Sequence, residues 1–426
     1  MHTRRTVSRR AFLAGVAASG ASLASSGKAS AAGRSAPASE RITLAAIGVG
    51  SRGRSNLLHF LEQDDVQVVA ICDCFRDRRE TAKAMVDEHY GNTDCVTYRR
   101  HEDVLGRDDI DAVAIATGDR WHAVLSALAA EAGKDIYCEK PFCLTVSEGR
   151  ALVNTLAQYG TVWQCGTQRR SNATFGRVVN AIHKGMIGNL KAITTSLGGW
   201  GGDGIAVPEP EPDPDEFDYD RWLGQAPWAP YSPLRVRLWR NRWDTGAGVI
   251  PDMGAHYFDF AQWAHDSEDT GPLTYRGTGV WPDGGFAEVP FTVDVEAQYA
   301  DGVRLVMQCG KCKEVHFQGD EGWINCTDEG VLTAEPASIL RERAASQVSW
   351  TFMGGHVRNF LECMRTRRRT VSHPEVAHRA HTIAHCANIC LRLGREVQWD
   401  PAAERFVGDD DANNLLSRTM RAPWRI

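Results

Sequence analysis

Residues 41–73 follow a pattern that few folds accommodate. Residues 41–47 form a short apolar run with the length of a buried strand, and they lead directly into Gly48-Val49-Gly50-Ser51-Arg52-Gly53. An amphipathic helical stretch follows through Leu57, Leu58 and Leu61. A second strand over residues 66–73 ends on Asp73, 20 residues beyond Gly53. Each part has a physical job. Gly48 permits a tight turn, Gly50 lets backbone amides approach a pyrophosphate, and Gly53 lets helix and strand pack closely. The helix that opens at Ser51 and Arg52 supplies unpaired N–H groups and the positive end of its dipole. Asp73 is placed to accept hydrogen bonds from an adenosine ribose. A glycine triplet alone is a weak signal. With a strand before it, a helix after it and an acid about 20 residues on, it predicts dinucleotide binding.

A carboxylate at Asp73 repels a 2′-phosphate, so NAD is expected over NADP. Arg76, Arg78 and Arg79 pull the other way. Strand-like runs recur at 112–117, 135–138 and 161–165, with helical stretches near 120–132 and 145–158. That alternation predicts a parallel, doubly wound sheet, with ligands at the carboxyl ends of its strands. The loops 117–122 and 139–141 fall at those ends.

The chain has 426 residues, 43% of them hydrophobic and 24% charged, with a formal net charge of −6. A mildly acidic chain without a long Lys/Arg run is not expected to have nucleic acid as its main partner. No apolar run reaches the roughly 20 residues of a spanning helix. The 12 cysteines are scattered without paired CxxC motifs and are expected to be buried thiols. Ser8-Arg9-Arg10-Ala11-Phe12-Leu13-Ala14, a small-residue stretch and Ala29-Ser30-Ala31 make a signal peptide of the twin-arginine type. Residues 1–39 are therefore set aside from the fold. The protein is expected to be exported by the Tat route to the periplasm or another extracytoplasmic space.

Four features together resemble the glucose–fructose oxidoreductase / inositol dehydrogenase (Gfo/Idh/MocA) family. They are Gly48 to Gly53 with Asp73; Ala116-Thr117-Gly118-Asp119-Arg120-Trp121-His122; Glu139-Lys140-Pro141; and Asp252-Met253-Gly254-Ala255-His256-Tyr257-Phe258-Asp259. Gly118 departs from the proline common in relatives. The resemblance implies a fold of class α/β: an N-terminal Rossmann sheet, residues 40–165, and a C-terminal α+β domain, residues 166–426, with a large, mostly antiparallel sheet. Strand-like runs near 191–197, 273–281, 293–299, 303–309, 313–318 and 322–326 agree independently. The final helices are expected to pack back on the first domain. The resemblance also implies a homo-oligomer and no metal.

The resemblance places Lys140, Asp252 and His256 around the substrate carbon that loses hydride. Asp252 and His256 are four apart and share a helical face. A histidine titrates near neutral pH and is a natural base. Lys140 is suited to stabilising a developing alkoxide. Cofactor contacts are expected from Gly48, Gly50, Ser51, Arg52, Gly53, Asp73, Thr117, His122, Glu139 and Lys140. Substrate contacts are expected from Gln168, Arg169, Asp259 and Trp239. Trp239 lies in a proline-rich, tryptophan-rich stretch, residues 198–245, whose aromatic faces suit either sugar stacking or packing. His378, His381 and His385 share a helical face without an acid at metal spacing.

The expected function is a nicotinamide-dependent oxidation of a sugar, glycoside or cyclitol hydroxyl with a tightly held cofactor. The alternative is an NAD-dependent glycosidase that oxidises, eliminates, hydrates and re-reduces. An exported enzyme meets no large soluble NAD pool, which favours a cofactor that stays bound.

Overall fold

The computed structural model describes residues 40–341 and 355–426. The expected export segment lies outside the described residues. The first half alternates strand and helix: β1 (Ile42–Ile47), α1 (Ser51–Leu61), β2 (Val66–Cys72), α2 (Arg76–Tyr90), β3 (Val96–Tyr98), α3 (His101–Leu105), β4 (Ala112–Ile115), α4 (Asp119–Glu131), β5 (Asp135–Cys138), α5 (Val146–Tyr159) and β6 (Trp163–Cys165). The six strands pair in parallel in the order β3-β2-β1-β4-β5-β6. Every residue of β4, β5 and β6 is buried, as expected for strands covered by helices on both faces.

Register positions the site. Ile47 lies beside both Cys72 and Ile115, Ile115 beside Cys138, and Cys138 beside Cys165. Five strands therefore end level with one another. The residues that follow them, Gly48, Asp73, Ala116, Glu139 and Gly166, emerge along one edge.

The second half contains α6 (Ala173–His183), β7 (Leu190–Leu197), α7 (Tyr219–Leu223), α8 (Pro233–Arg237), α9 (Val249–His265), β8 (Thr274–Val280), β9 (Thr292–Gln298), β10 (Arg304–Gln308), β11 (Lys313–Gly319), β12 (Trp323–Thr327), β13 (Leu332–Glu335), α10 (His356–Thr366), α11 (Pro374–Leu393), β14 (Val397–Asp400), β15 (Arg405–Phe406) and α12 (Asp410–Asn414). The strands form one nine-stranded sheet, β13-β12-β11-β7-β10-β9-β8-β14-β15, in which only the β7–β10 pair is parallel. Val293, Val295 and Ala297 of β9 point into the core, while Thr292, Asp294 and Gln298 are exposed. That alternation marks a sheet packed on one face, here against α6, α9 and α11.

Two helices tie the halves together. In α10, Val357, Phe360 and Leu361 join the core beneath β1, β2 and α1. Nearly all of α11 is buried, and it packs against α5 and β6 of the first half and α9 and β8 of the second. Near the end of the chain, Met420 and Trp424 rest on the core beside α4.

Candidate functional site

The glycine turn is built as tightly as its sequence requires. Gly48 has φ +82°, and a Cβ there would lie 2.7 Å from the Ala116 carbonyl group. A Cβ on Gly53 would lie 2.0 Å from the Gly48 oxygen. Gly50 is different: a Cβ there would meet only the Arg78 guanidinium, at 3.5 Å. Its amide edge is open on the side where a ligand approaches. Helix α1 has no acid in its first turn and no side-chain cap, so its N-terminal amides stay available to an anion. Asp73 is buried at 6% exposure and accepts from the Val49 amide (2.7 Å) and the Phe75 amide (3.0 Å). It holds the turn as well as facing the cleft.

A cleft of about 500 Å³ runs from Asp73, Phe75 and Arg78 past Gly48, Gly50, Ser51 and Arg52 to Thr117 and Arg240. The open amides, the undisturbed Gly50 face and the length of this cleft fit a dinucleotide. Among the three arginines of 76–79, Arg78 alone lines it, stacked over Phe75 at 3.8 Å. Arg76 pairs with Glu80 and Glu216, and Arg79 is buried against the Asp73 carbonyl.

A second cleft, about 240 Å³, adjoins the first and shares Arg52, Ala116, Thr117 and Arg240 with it. Asp119, His122, Glu139, Lys140, Gln168, Asp252 and His256 complete its lining. The first half and Gln168 thus face Arg240 and two residues of α9 across it. The Lys140 ammonium donates to the Asp252 carbonyl (2.7 Å) and to its carboxylate Oδ1 (3.0 Å). Arg240 donates to the same Oδ1 at 3.1 Å. Burial works to raise the Asp252 carboxyl, but Lys140 and Arg240 outweigh it and hold the group below the ordinary carboxylate range. Glu139 accepts through one oxygen from Arg52 (2.8 Å), Asn56 (2.9 Å) and Gln168 (3.0 Å).

His256 stands one helical turn after Asp252, as the spacing predicts. Burial, reinforced by Arg169, Lys140, Arg52 and His381, drives its proton affinity well below that of an ordinary imidazole. Its Nδ1 is buried with no partner among the described residues. The ring is neutral near pH 7 and is a weaker base than its residue type suggests. His122 donates from Nδ1 to the Pro141 carbonyl at 2.7 Å, with Nε2 3.3 Å from the Thr117 carbonyl, so it braces the two loops that flank the cleft.

Three residues expected to face substrate are placed elsewhere. Asp259 is 1% exposed and locked to Arg170 at 2.7 Å, with Glu268 as a further partner of that arginine. Arg169 turns to Asp328 and lies 4.9 Å over the Tyr257 ring. Trp239 lines the larger cleft, beneath Arg240 at 4.2 Å, and reaches the smaller one nowhere. The physical reason is shared: buried charges seek partners, and long flat rings seek packing. The other tryptophans of that stretch are also absent from the smaller cleft. Trp222 packs in an aromatic cluster with Phe217 and Tyr219, and Trp243 lies between Arg392 and Arg418.

Two charged lining residues lie outside the expected set. Asp119 sits inside the quoted 116–122 motif but carries no spacing signal of its own. Arg240 adjoins Trp239 and resembles any surface arginine in sequence. His378 pairs with Glu404 at 3.0 Å, His381 with the Ala377 carbonyl at 2.6 Å, and His385 lies 3.7 Å from Cys143. No group of three or more metal-capable side chains is found among the described residues. All 12 cysteines are free, and nine are buried.

A parallel Rossmann sheet, a nucleotide-sized cleft on its carboxyl edge and a polar cleft roofed by a second domain define a dinucleotide-dependent α/β protein. The chain belongs to the Gfo/Idh/MocA oxidoreductase family. Residues 42–167 match its "NAD-binding Rossmann fold" and residues 177–426 its "C-terminal alpha/beta domain". A curated relative, an alpha-N-acetylgalactosaminidase from Shewanella oneidensis, is 34% identical over 184 residues, 39% of this chain and 37% of the relative. A glycosyl hydrolase family 109 protein from Shewanella pealeana is 32% identical over 162 residues, 36% of this chain and 34% of the relative. The chain thus spans about a third of the length of these relatives. Aldose-aldose oxidoreductase from Caulobacter crescentus, solved with glycerol, superimposes with a TM-score of 0.63 at 18% identity, over 84% of this chain and 99% of that one. At that identity the likeness concerns the fold.

Proposed function

We propose that this chain is a nicotinamide-dependent oxidoreductase acting on a hydroxyl of a sugar, glycoside or cyclitol, with its cofactor tightly held. One observation carries the reading. Lys140 from the first domain and Asp252 and His256 from the second meet in a small polar cleft that shares residues with the dinucleotide-sized one. The chemistry that a bound dinucleotide supplies is hydride acceptance from the substrate carbon. Lys140, held by Asp252, binds the reacting oxygen and stabilises the negative charge that develops on it. The neutral His256 imidazole hydrogen-bonds to that oxygen. Thr117, His122 and Glu139 shape the passage between the clefts, and Gln168 closes its side. Asp73 favours NAD, since its carboxylate repels a 2′-phosphate, although Arg78 stands beside it.

A second reading is glycoside cleavage through reversible oxidation, elimination, hydration and re-reduction. It is favoured by the glycosidase names of the curated relatives. The deciding experiment incubates the protein with a panel of free sugars and glycosides. Ketone without released aglycone supports oxidation, and aglycone without net reduced nucleotide supports cleavage. Neither product from any member would end both readings. Protein purified free of nucleotide, and fully active only with added NAD, would contradict the tight hold.

Export by the twin-arginine route is part of the proposal and rests on Arg9-Arg10 and the small-residue stretch after them. A reporter fused after residue 39 should reach the extracytoplasmic side and stay inside when both arginines become lysines. A homo-oligomer is likewise proposed from the family resemblance. Sedimentation at the mass of a single chain would refute it.

A further inference from the structure

Asp119 is the first residue of α4 and lines the smaller cleft with Lys140, Arg240, Asp252 and His256. It is 4% exposed, yet its carboxyl makes no hydrogen bond or ion pair among the described residues. Every other acid of the cleft is spoken for: Asp252 by Lys140 and Arg240, Glu139 by Arg52, Asn56 and Gln168. Buried carboxyls are normally partnered, so one left bare toward a cleft is kept for something that enters it.

We propose that Asp119 is the proton acceptor of this site, taking the proton of the substrate hydroxyl while His256 only hydrogen-bonds to the same oxygen. This rests on the oxidoreductase reading above. In the step, the substrate O–H bond breaks and its proton bonds to an Asp119 oxygen. The adjoining C–H bond breaks and its electron pair leaves as hydride to an oxidised nicotinamide dinucleotide. The carbonyl C=O forms from the O–H electrons. Lys140 covers the oxygen as its charge grows.

The groups that face Asp119 set its proton affinity. Burial raises it and the Asp252 carboxylate raises it further, while Arg240, Lys140 and Arg120 lower it, leaving the carboxyl at about 7. A base is most effective when its proton affinity matches the working pH. His256, suppressed by burial and by Arg169, Lys140 and Arg52, is poorly matched. With Asp119 protonated, the cleft cations Arg52, Lys140 and Arg240 exceed the anions Glu139 and Asp252 by one. The site then holds the proton without stacking a third negative charge beside the departing hydride.

The test uses the full, nucleotide-loaded chain with a substrate found in the panel. Asp119→Asn should lower kcat by about 10²–10⁴-fold, the usual worth of a positioned acid or base. Nucleotide affinity should stay within about threefold, well under the tenfold that 1.4 kcal/mol represents. The acid limb of the kcat–pH profile, with its inflection near 7, should vanish in that variant. His256→Gln should lose rate but keep the limb. A limb that survives in Asp119→Asn, or disappears in His256→Gln, overturns the proposal. If Asp119→Asn does not fold, the His256→Gln profile decides alone. If no sugar is turned over, the carbohydrate reading fails, and infrared titration still decides on Asp119. Glu148 contributes a band in the same range, so the reading is the difference between the two proteins: a protonated-carboxyl component titrating near neutral pH that is lost in Asp119→Asn supports the assignment, and a band unchanged in Asp119→Asn refutes it.

Discussion

Gly50 and Gly53 stand three residues apart and answer to different constraints. At Gly53 a Cβ would press to 2.0 Å of the Gly48 oxygen, so Gly53→Ala should destabilise the fold by about 1–3 kcal/mol or more, read as a lower denaturant midpoint. At Gly50 only the tip of Arg78 is near, at 3.5 Å. Gly50→Ala should therefore leave the midpoint of the nucleotide-free protein unchanged while weakening NAD binding at least about tenfold by calorimetry, about 1.4 kcal/mol. Equal effects of the two changes would remove the cradle interpretation. Asp259 behaves in the opposite sense to its neighbours in the 252–259 motif. Asp259→Asn leaves buried Arg170 half-partnered and should cost about 3–5 kcal/mol of stability, with KM of the folded fraction unchanged. A large rise in KM with normal stability would return Asp259 to the substrate. The motif makes Asp252, His256 and Asp259 look alike in sequence. Only their partners separate a cleft acid from a buried brace.

Helix α5 opens on a reciprocal cap. The Thr145 hydroxyl accepts from the Glu148 amide at 3.2 Å, and the Glu148 carboxylate accepts from the Leu144 amide at 3.0 Å. Burial pushes the Glu148 carboxyl up to about 7, against the help of the Leu144 amide, Arg418 and the Thr145 amide. The folded chain thus holds this proton more tightly than the unfolded chain, whose carboxyl titrates near 4.5. The sign follows by linkage: nothing is lost below about pH 4.5, and stability declines as pH rises through about 7, on the order of 3 kcal/mol in all. Glu148→Gln keeps the acceptor and loses the titration. Its stability relative to the unaltered chain should improve between pH 5 and pH 8.5 in urea titrations, and a constant difference would refute the account. Helix α10 makes a different kind of contribution. Phe360 is fully buried with its ring edge-on to Phe60 and Tyr137. Phe360→Ala should cost about 3–5 kcal/mol. Most strands of both sheets were readable from runs of four to eight residues, since a strand's burial pattern is written in adjacent positions. The short β3, β13, β14 and β15 were not, because two to four residues offer too few positions to show a period.

Across the molecule, the parallel sheet depends on a helix that begins 191 residues beyond its last strand. Val357, Phe360, Leu361 and Met364 fill the core under β1 and β2, and Gln164 donates to the His356 carbonyl at 2.7 Å. A fragment of residues 40–167 should therefore expose this apolar face and fail to reach a single ordered state. Near-ultraviolet circular dichroism and dye binding would show this, while residues 40–426 should unfold in one transition. An ordered, soluble fragment would contradict the dependence. The glycine turn, the acid at Asp73, the strand–helix alternation and the family motifs were legible because each is confined to a short stretch whose spacing is itself the physics of a turn or a buried strand. Which charged groups face the clefts was not. Lys140 meets Asp252 across 112 residues and Arg170 meets Asp259 across 89, and the same search for partners leaves Asp119 bare and brings Arg240 to the cleft. A side chain's proton affinity and reach depend on what the folded chain sets beside it, and that neighbourhood is assembled only when both domains close around α11.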